Sequence, residues 1–236
     1  IISRFIVSSE FFRNVMTLMS GTIIAQSILI LATPILTRIY SPYEFGLFAL
    51  YISIYSVIAT ISTGKYEIAI MAPKSDLAAK NVMELSIIFA LCISVATILP
   101  IYFFAEEFGK ILGNSGISKW LIFIPISVFS FGVYQAIDYY LNRQKKFTSM
   151  VKNKLLQVLS VSLLQIIMKF INNGGLIIGF SIGWFVSTLL IFISNKINFF
   201  NLRINELKNT AKKYKEYPLF NASTSLLNTI STYLPH

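Results

Sequence analysis

Apolar residues are not spread along this chain but gathered into long runs separated by short polar breaks. Six runs reach about the 20 residues that a helix needs to cross a bilayer. They cover Val15–Leu36, Phe45–Thr63, Leu85–Phe104, Trp120–Leu141, Leu155–Ile171 and Gly174–Ser194, and a seventh opens at Pro218. Ile1–Asn14 is too mixed to span and has no small-residue cleavage pattern, so it reads as an amphipathic lead-in rather than a signal peptide. The pattern predicts an all-α polytopic membrane protein with six transmembrane helices and the start of a seventh. Its expected units are a lead-in (1–14), a six-helix lobe (15–194), a linker (195–216) and a truncated seventh helix (217–236). The chain begins at Ile1 and stops inside an apolar segment at His236, which predicts a fragment of a longer protein.

Composition agrees with that pattern. Of 236 residues, 55% are hydrophobic and 13% charged, and mean hydropathy is +0.69. Soluble domains carry about 25% charged residues, so a water-facing surface cannot be built from this set. Cys92 is the sole cysteine and permits no internal bridge; Leu91 and Ile93 beside it place the thiol toward lipid or neighbouring helices. The single histidine is His236, which leaves almost nothing for a His-based metal or acid–base site.

The formal charge of +10 has a directional origin. Sixteen of the 20 Lys and Arg side chains fall at the N-terminus (Arg4, Arg13) and in the second, fourth and sixth connections. The other side holds Arg38, Lys110, Lys119 and Lys169. Basic loops stay in the cytoplasm, so the N-terminus and the even-numbered connections are expected there. Charge dispersed over four segments between apolar spans argues against nucleic acid and for anionic membrane lipids as partners.

Local signals add detail. Ser41-Pro42-Tyr43-Glu44 reads as a capping box that opens the second span. Pro34, Pro100 and Pro125 each remove a helical donor and predict kinks, tolerated where neighbours or a wet cavity serve the freed carbonyls. Ser75 or Asp76 can cap the third long helix, with Leu77–Glu84 projecting into the cytoplasm before lipid. The linker is basic and polar, expected to be helical in part, and the natural hinge or linker between two bundles. The seventh segment is so rich in Asn, Ser and Thr that it must line an interior surface, which makes Asn221 and Asn228 candidate cavity residues.

A charge inside the bilayer costs about 2.5–3.5 kcal/mol on insertion scales, so each retained one is a functional candidate. These are Arg38, Lys65, Glu67, Asp138 and Lys169. Asp138 reads equally as a carboxylate for cation or proton coupling and as half of a structural pair with Arg143 or Lys145, with Asn142 one turn on. Arg38 meets an anionic substrate, snorkels to the outer headgroups or pairs with Glu44. Lys65 and Glu67 bracket Tyr66 as interface anchors or substrate contacts, and Lys169 reads as snorkelling. Gln26, Gln135 and Gln165 serve as interhelical glue or cavity lining. Tyr40, Tyr43, Tyr102, Tyr139, Tyr140 and Tyr217 fit an aromatic belt. No phosphate loop, HExxH or GxSxG motif is found, and no cofactor is expected; the expectation is a transporter rather than an enzyme.

Thr37–Phe48, Gly64–Ile70 and Tyr214–Phe220 together resemble stretches of bacterial polysaccharide exporters of the O-antigen flippase type. Thr37–Phe48 (TRIYSPYEFGLF) is similar to that family's first-loop signature. Gly64–Ile70 (GKYEIAI) is similar to its motif after the second span, where arginine is commoner than the lysine here. Tyr214–Phe220 (YKEYPLF) is similar to its entry into span seven, and Ser20–Gln26 fits as well. The resemblance implies two six-helix lobes around a central cavity, with this chain supplying the first. It implies transfer of undecaprenyl-pyrophosphate-linked oligosaccharide to the outer leaflet of the bacterial cytoplasmic membrane for O-antigen or capsule synthesis. A polysaccharide polymerase and a chain-length regulator are the implied protein partners. Arg38, Lys65 and Arg143, with Glu67, become the candidate substrate contacts, although a lysine lacks the two-pronged grip of a guanidinium. A cation-coupled multidrug exporter of the same superfamily is the alternative and would depend on Asp138. A membrane-embedded polymerase or acyltransferase would need an outward His/Asp pair that Ala105–Lys119 does not offer.

Overall fold

The computed structural model describes residues 2–171, 174–195 and 204–233, leaving aside the side chains of residues 2–11, 204, 230 and 233. Lys196, Arg203, Ile1 and His236, all weighed in the sequence, lie outside the described residues. Every described element is helical: α1 (Ile2–Ile39), α2 (Pro42–Ile61), α3 (Tyr66–Ala69), α4 (Asp76–Ile111), α5 (Ile124–Arg143), α6 (Phe147–Lys169), α7 (Gly175–Ser194), α8 (Ile204–Lys213) and α9 (Ala222–Tyr233). A 3₁₀ run, Ser115–Phe123, leads into α5, and a π-helical turn, Tyr217–Asn221, leads into α9. Among the described residues, six helices are long and apolar enough to cross a membrane. Their outward faces carry exposed Ile30, Leu31, Leu99, Phe103, Ile111 and Ile193, an apolar coat that only lipid or another apolar partner can cover.

The boundaries differ from the sequence reading in instructive ways. The expected lead-in and the first span are one helix, since α1 runs unbroken from Ile2 through Pro34 to Ile39. Pro125 does not kink a span: it sits in the first turn of α5, where no helical donor is needed. Ser75 takes the capping role for α4, its hydroxyl accepting from Ala78 N–H at 3.3 Å. The capping box forms as read: Glu44 N–H donates to Ser41 Oγ, and Ser41 N–H donates to Glu44 Oε2 at 2.8 Å.

Because hydrophobic pull is weak between helices in lipid, shape and hydrogen bonds must assemble them. The closest approach is α7 on α6. Gly175, Gly179 and Gly183, one turn apart, face backbone: a Cβ at Gly179 would lie 2.5 Å from Gln165 Cα, and one at Gly183 would lie 2.6 Å from Val161 Cα. At the centre of the lobe the fully buried Tyr51 joins α2 to α5 and α7, its hydroxyl 2.8 Å from Ser127 Oγ and 2.9 Å from Ser181 Oγ. Phe180 meets its ring edge to face and Tyr55 lies parallel to it, while Tyr55, Phe131, Phe180 and Trp184 pack edge to face among themselves. α1 is, with α4, among the least buried spans and packs mainly on α6, where Gly21 accommodates Val151.

The expected hinge is in part a docked element. Leu207, Ala211 and Tyr214 of the α8 region pack against the buried cluster of Tyr66, Ala79, Val82 and Met83. Asn81 Nδ2 donates to Glu206 at 3.2 Å, and Tyr66 OH donates to the Ala211 carbonyl at 3.3 Å. α9 lies along α2, with Thr60 and Thr229 hydroxyls 3.0 Å apart. Its hydroxyl residues are less demanding than the sequence implied: Ser223, Thr224, Thr229 and Thr232 each donate to the carbonyl four residues back, which satisfies them without an external partner.

Candidate functional site

Connections alternate between two ends of the lobe. One end carries α3, α8 and the starts of α4 and α6, and it is rich in exposed lysine: Lys74, Lys145, Lys146, Lys152, Lys208 and Lys212. The chain leaves α2 there through two consecutive left-handed residues, Gly64 and Lys65, each at φ 59°. The turn places Lys65 Nζ 3.8 Å from Glu67 Oε1. Glu67 is buried, 3% exposed, and accepts the Thr63 hydroxyl. Such a carboxylate needs a nearby cation to offset its desolvation. Tyr66 beneath it is buried, which pushes its phenol up, and its ring packs on Phe89, 4.9 Å between centroids. Gly64 is required on two counts: its left-handed backbone, and Phe89 Cδ1 only 3.0 Å from where a Cβ would sit. Gly64→Ala is expected to cost about 1–2 kcal/mol, read as an earlier thermal unfolding midpoint in detergent.

Arg143 belongs to the same end but serves the backbone around it. Its Nε donates to Asp76 Oδ1 and its Nη1 to the carbonyls of Ile70 and Met71, all at 3.3 Å. It thus ties the last turn of α5 to the α3–α4 connection. Past it, Lys145 adopts φ 56° as the chain closes off α5, with Lys146 N–H returning to the Leu141 carbonyl. Neither Arg143 nor Lys145 pairs with Asp138, so the structural partners expected for that carboxylate are corrected. Glu84, placed by the sequence in a projecting stretch, is 3% exposed, 3.9 Å from Lys80 Nζ. Its signal was the Lys80–Glu84 spacing of four residues on one helix face.

The opposite end is closed by a different pair. Glu44 does not take Arg38; it takes Lys169, whose Nζ lies 2.8 and 3.0 Å from the two carboxylate oxygens. Lys169 therefore does not snorkel. It also stands over the Tyr40 ring, 4.7 Å from the centroid. Tyr40 is no belt residue either: it is buried and donates to the Gln165 carbonyl at 2.6 Å. Burial, and then the nearby Glu44 charge, push its phenol up to about 12, so it remains a donor at any physiological pH. Gln165 Nε2 donates to the Leu176 carbonyl, which settles Gln165 as interhelical glue. Beside this lock lies a cavity of about 390 Å³ lined by Tyr43, Glu44, Lys119, Trp120 and Lys169. Arg38 is exposed at this end.

The remaining candidates are scattered. Asp138 borders a cavity of about 180 Å³ between α1, α5 and α6. Gln26 is exposed on α1, Gln135 half-buried on α5, Asn221 half-buried before α9 and Asn228 exposed on α9. Lys65, Glu67 and Arg143 thus share one end, and Arg38 sits at the other. The arrangement is two charged ends joined by a mostly apolar bundle with an ionisable cavity within it. It is not a single converged pocket.

A helical lobe with six candidate spans and charge concentrated at its ends defines a polytopic membrane protein. Residues 35–235 match the family of polysaccharide biosynthesis proteins, and the chain belongs to that family. Comparison with curated proteins found no match, and comparison with solved structures found none.

Proposed function

We propose that this chain forms one lobe of an exporter that moves a lipid-linked oligosaccharide across the bacterial cytoplasmic membrane for surface polysaccharide synthesis, with its lysine-rich end in the cytoplasm. The observation that carries the reading is membership of the polysaccharide biosynthesis family by a lobe with six candidate spans. The physical task is to pass a polar, anionic head through about 30 Å of hydrocarbon while its lipid tail remains outside. Two bundles rocking about a wet, locally positive interior would lower that barrier. In this reading Lys65, held on its rigid left-handed turn, meets the pyrophosphate at the cytoplasmic end, and Arg38 receives it at the outer end. Gln26, Asn221 and Asn228, on α1 and beside or within α9, face the partner lobe. Polymerase and chain-length regulator act on the delivered repeat units.

The test is complementation of a flippase-deficient strain by the full-length gene, with lipid-linked repeat units counted in each leaflet. Normal outward transfer in a deletion strain would refute the reading. Lys65→Glu and Arg38→Glu are each expected to lower export about tenfold or more, the equivalent of one charge-assisted contact to phosphate, while membrane insertion is retained. Unchanged export in both removes their assigned roles.

A further inference from the structure

The α1–α5–α6 cavity carries an inference of its own. Its walls are Leu18 and Thr22 from α1, Tyr134 and Asp138 from α5, and Val151 and Lys154 from α6, among others. Among the described residues Asp138 has neither an ion pair nor a hydrogen bond, although it lies within a membrane-spanning helix. The cation acting on it is Lys154, which reaches instead toward Thr22, its Nζ 3.4 Å from Thr22 Oγ1. Carboxylate and ammonium therefore line one small cavity of otherwise largely apolar walls without closing on each other. That space has room for water and the two to four polar partners water needs.

We propose that this cavity is a proton-binding site in which Asp138 is the acceptor and Lys154 the resident counter-cation that sets its affinity. In the empty state the two charges sum to zero. Proton uptake converts the Asp138 carboxylate to the neutral acid, Lys154 keeps its own proton, and the cavity is left with one net positive charge. That charge is costly in a low-dielectric setting. It moves the ammonium further onto Thr22 of α1, a span that packs mainly on α6. Proton occupancy is thereby linked to how α1 seats against α6, where Gly21 and Val151 already touch. The titratable or charged groups facing Asp138 are Lys154 from α6 and Tyr134 and Tyr139 from its own helix; α1 contributes Leu18 and Thr22. The site stands on geometry, and only its use in driving transport rests on the export reading above.

The experiment is acid-induced infrared difference spectroscopy of the purified protein in lipid nanodiscs, following the carbonyl band of a protonated carboxylic acid. The expected result is a band that Asp138→Asn abolishes. Its midpoint should move by about tenfold or more in proton concentration, toward tighter binding, in Lys154→Met, because an opposing cation at close range disfavours the protonated acid. Lys154→Arg keeps the charge and should leave the midpoint near the parent value, which separates charge from packing. A band that survives Asp138→Asn, a midpoint unmoved in Lys154→Met, or a band displaced by sodium at constant pH each overturns the proposal. No export is required for this readout, so failure of the export reading leaves it standing, and failure here leaves that reading untouched.

Discussion

Replacing Gly179 by alanine is expected to be the most damaging small change in this lobe, costing about 3 kcal/mol or more. The added Cβ would sit 2.5 Å from both the nitrogen and Cα of Gln165. Those are backbone atoms of α6 and cannot turn aside as a side chain does. The two helices must therefore separate by roughly the depth of a methyl group, and the separation propagates. Gly175 and Gly183 lose their own close contacts on either side, while the Gln165 Nε2 bond to the Leu176 carbonyl lengthens from 3.2 Å. The Tyr40 hydroxyl, which holds the Gln165 carbonyl from α1's end of the lobe, is disturbed in turn. Gly46→Ala is the matched control, because nothing lies within 4 Å of its Cβ position, and helix propensity alone makes it neutral or slightly stabilising. Thermal unfolding in detergent should rank Gly179→Ala well below the parent and Gly46→Ala level with it. Equal midpoints for the two would mean that α6 and α7 are not in backbone contact.

What could be read from the chain in advance, and what could not, divides along physical range. The six spans follow from local hydropathy, and the Ser41–Glu44 box follows from a spacing of three, so both were legible. The partner of Glu44 was not. Arg38 is six residues away and Lys169 is 125 away, yet the helix geometry that brings α6 back to the start of α2 makes the distant residue the neighbour. Arg143 illustrates the same limit: its charge was visible, its attachment to Asp76 and two carbonyls was not. Asp138 was recognised by depth, but Lys154 was counted only as one more basic residue. The Gly175–Gly179–Gly183 stripe stands in the sequence at helical spacing but gives no hydrophobic signal, because glycine has no side chain to pattern. α8 has the opposite character. Its partial helicity follows from the sequence, but its docking does not: the few apolar positions Leu207, Ala211 and Tyr214 share one face and seal it onto α3 and α4.

Glu44→Ala is the second large effect expected, about 2–3 kcal/mol, because one carboxylate performs two tasks. It accepts the Ser41 N–H at the start of α2, a donor that would otherwise be stranded near the membrane face. It also holds Lys169 at 2.8 Å from the end of α6. The tasks can be separated. Ser41→Ala leaves the ion pair and removes the reciprocal cap together with the hydroxyl's own bond to Glu44 Oε2, and should cost about 1 kcal/mol. Lys169→Met removes only the ion pair together with the cation above Tyr40, and should cost about 1–2 kcal/mol, since side chains that are 13% and 26% exposed are partly shielded from water. If Glu44 couples the two helices, the Glu44→Ala, Lys169→Met double variant must be less destabilised than the sum of the single ones by about 1 kcal/mol, with little change on adding salt. Strict additivity would show that the pair is incidental and that α1, α2 and α6 meet at this end through Tyr40 and Gln165 alone.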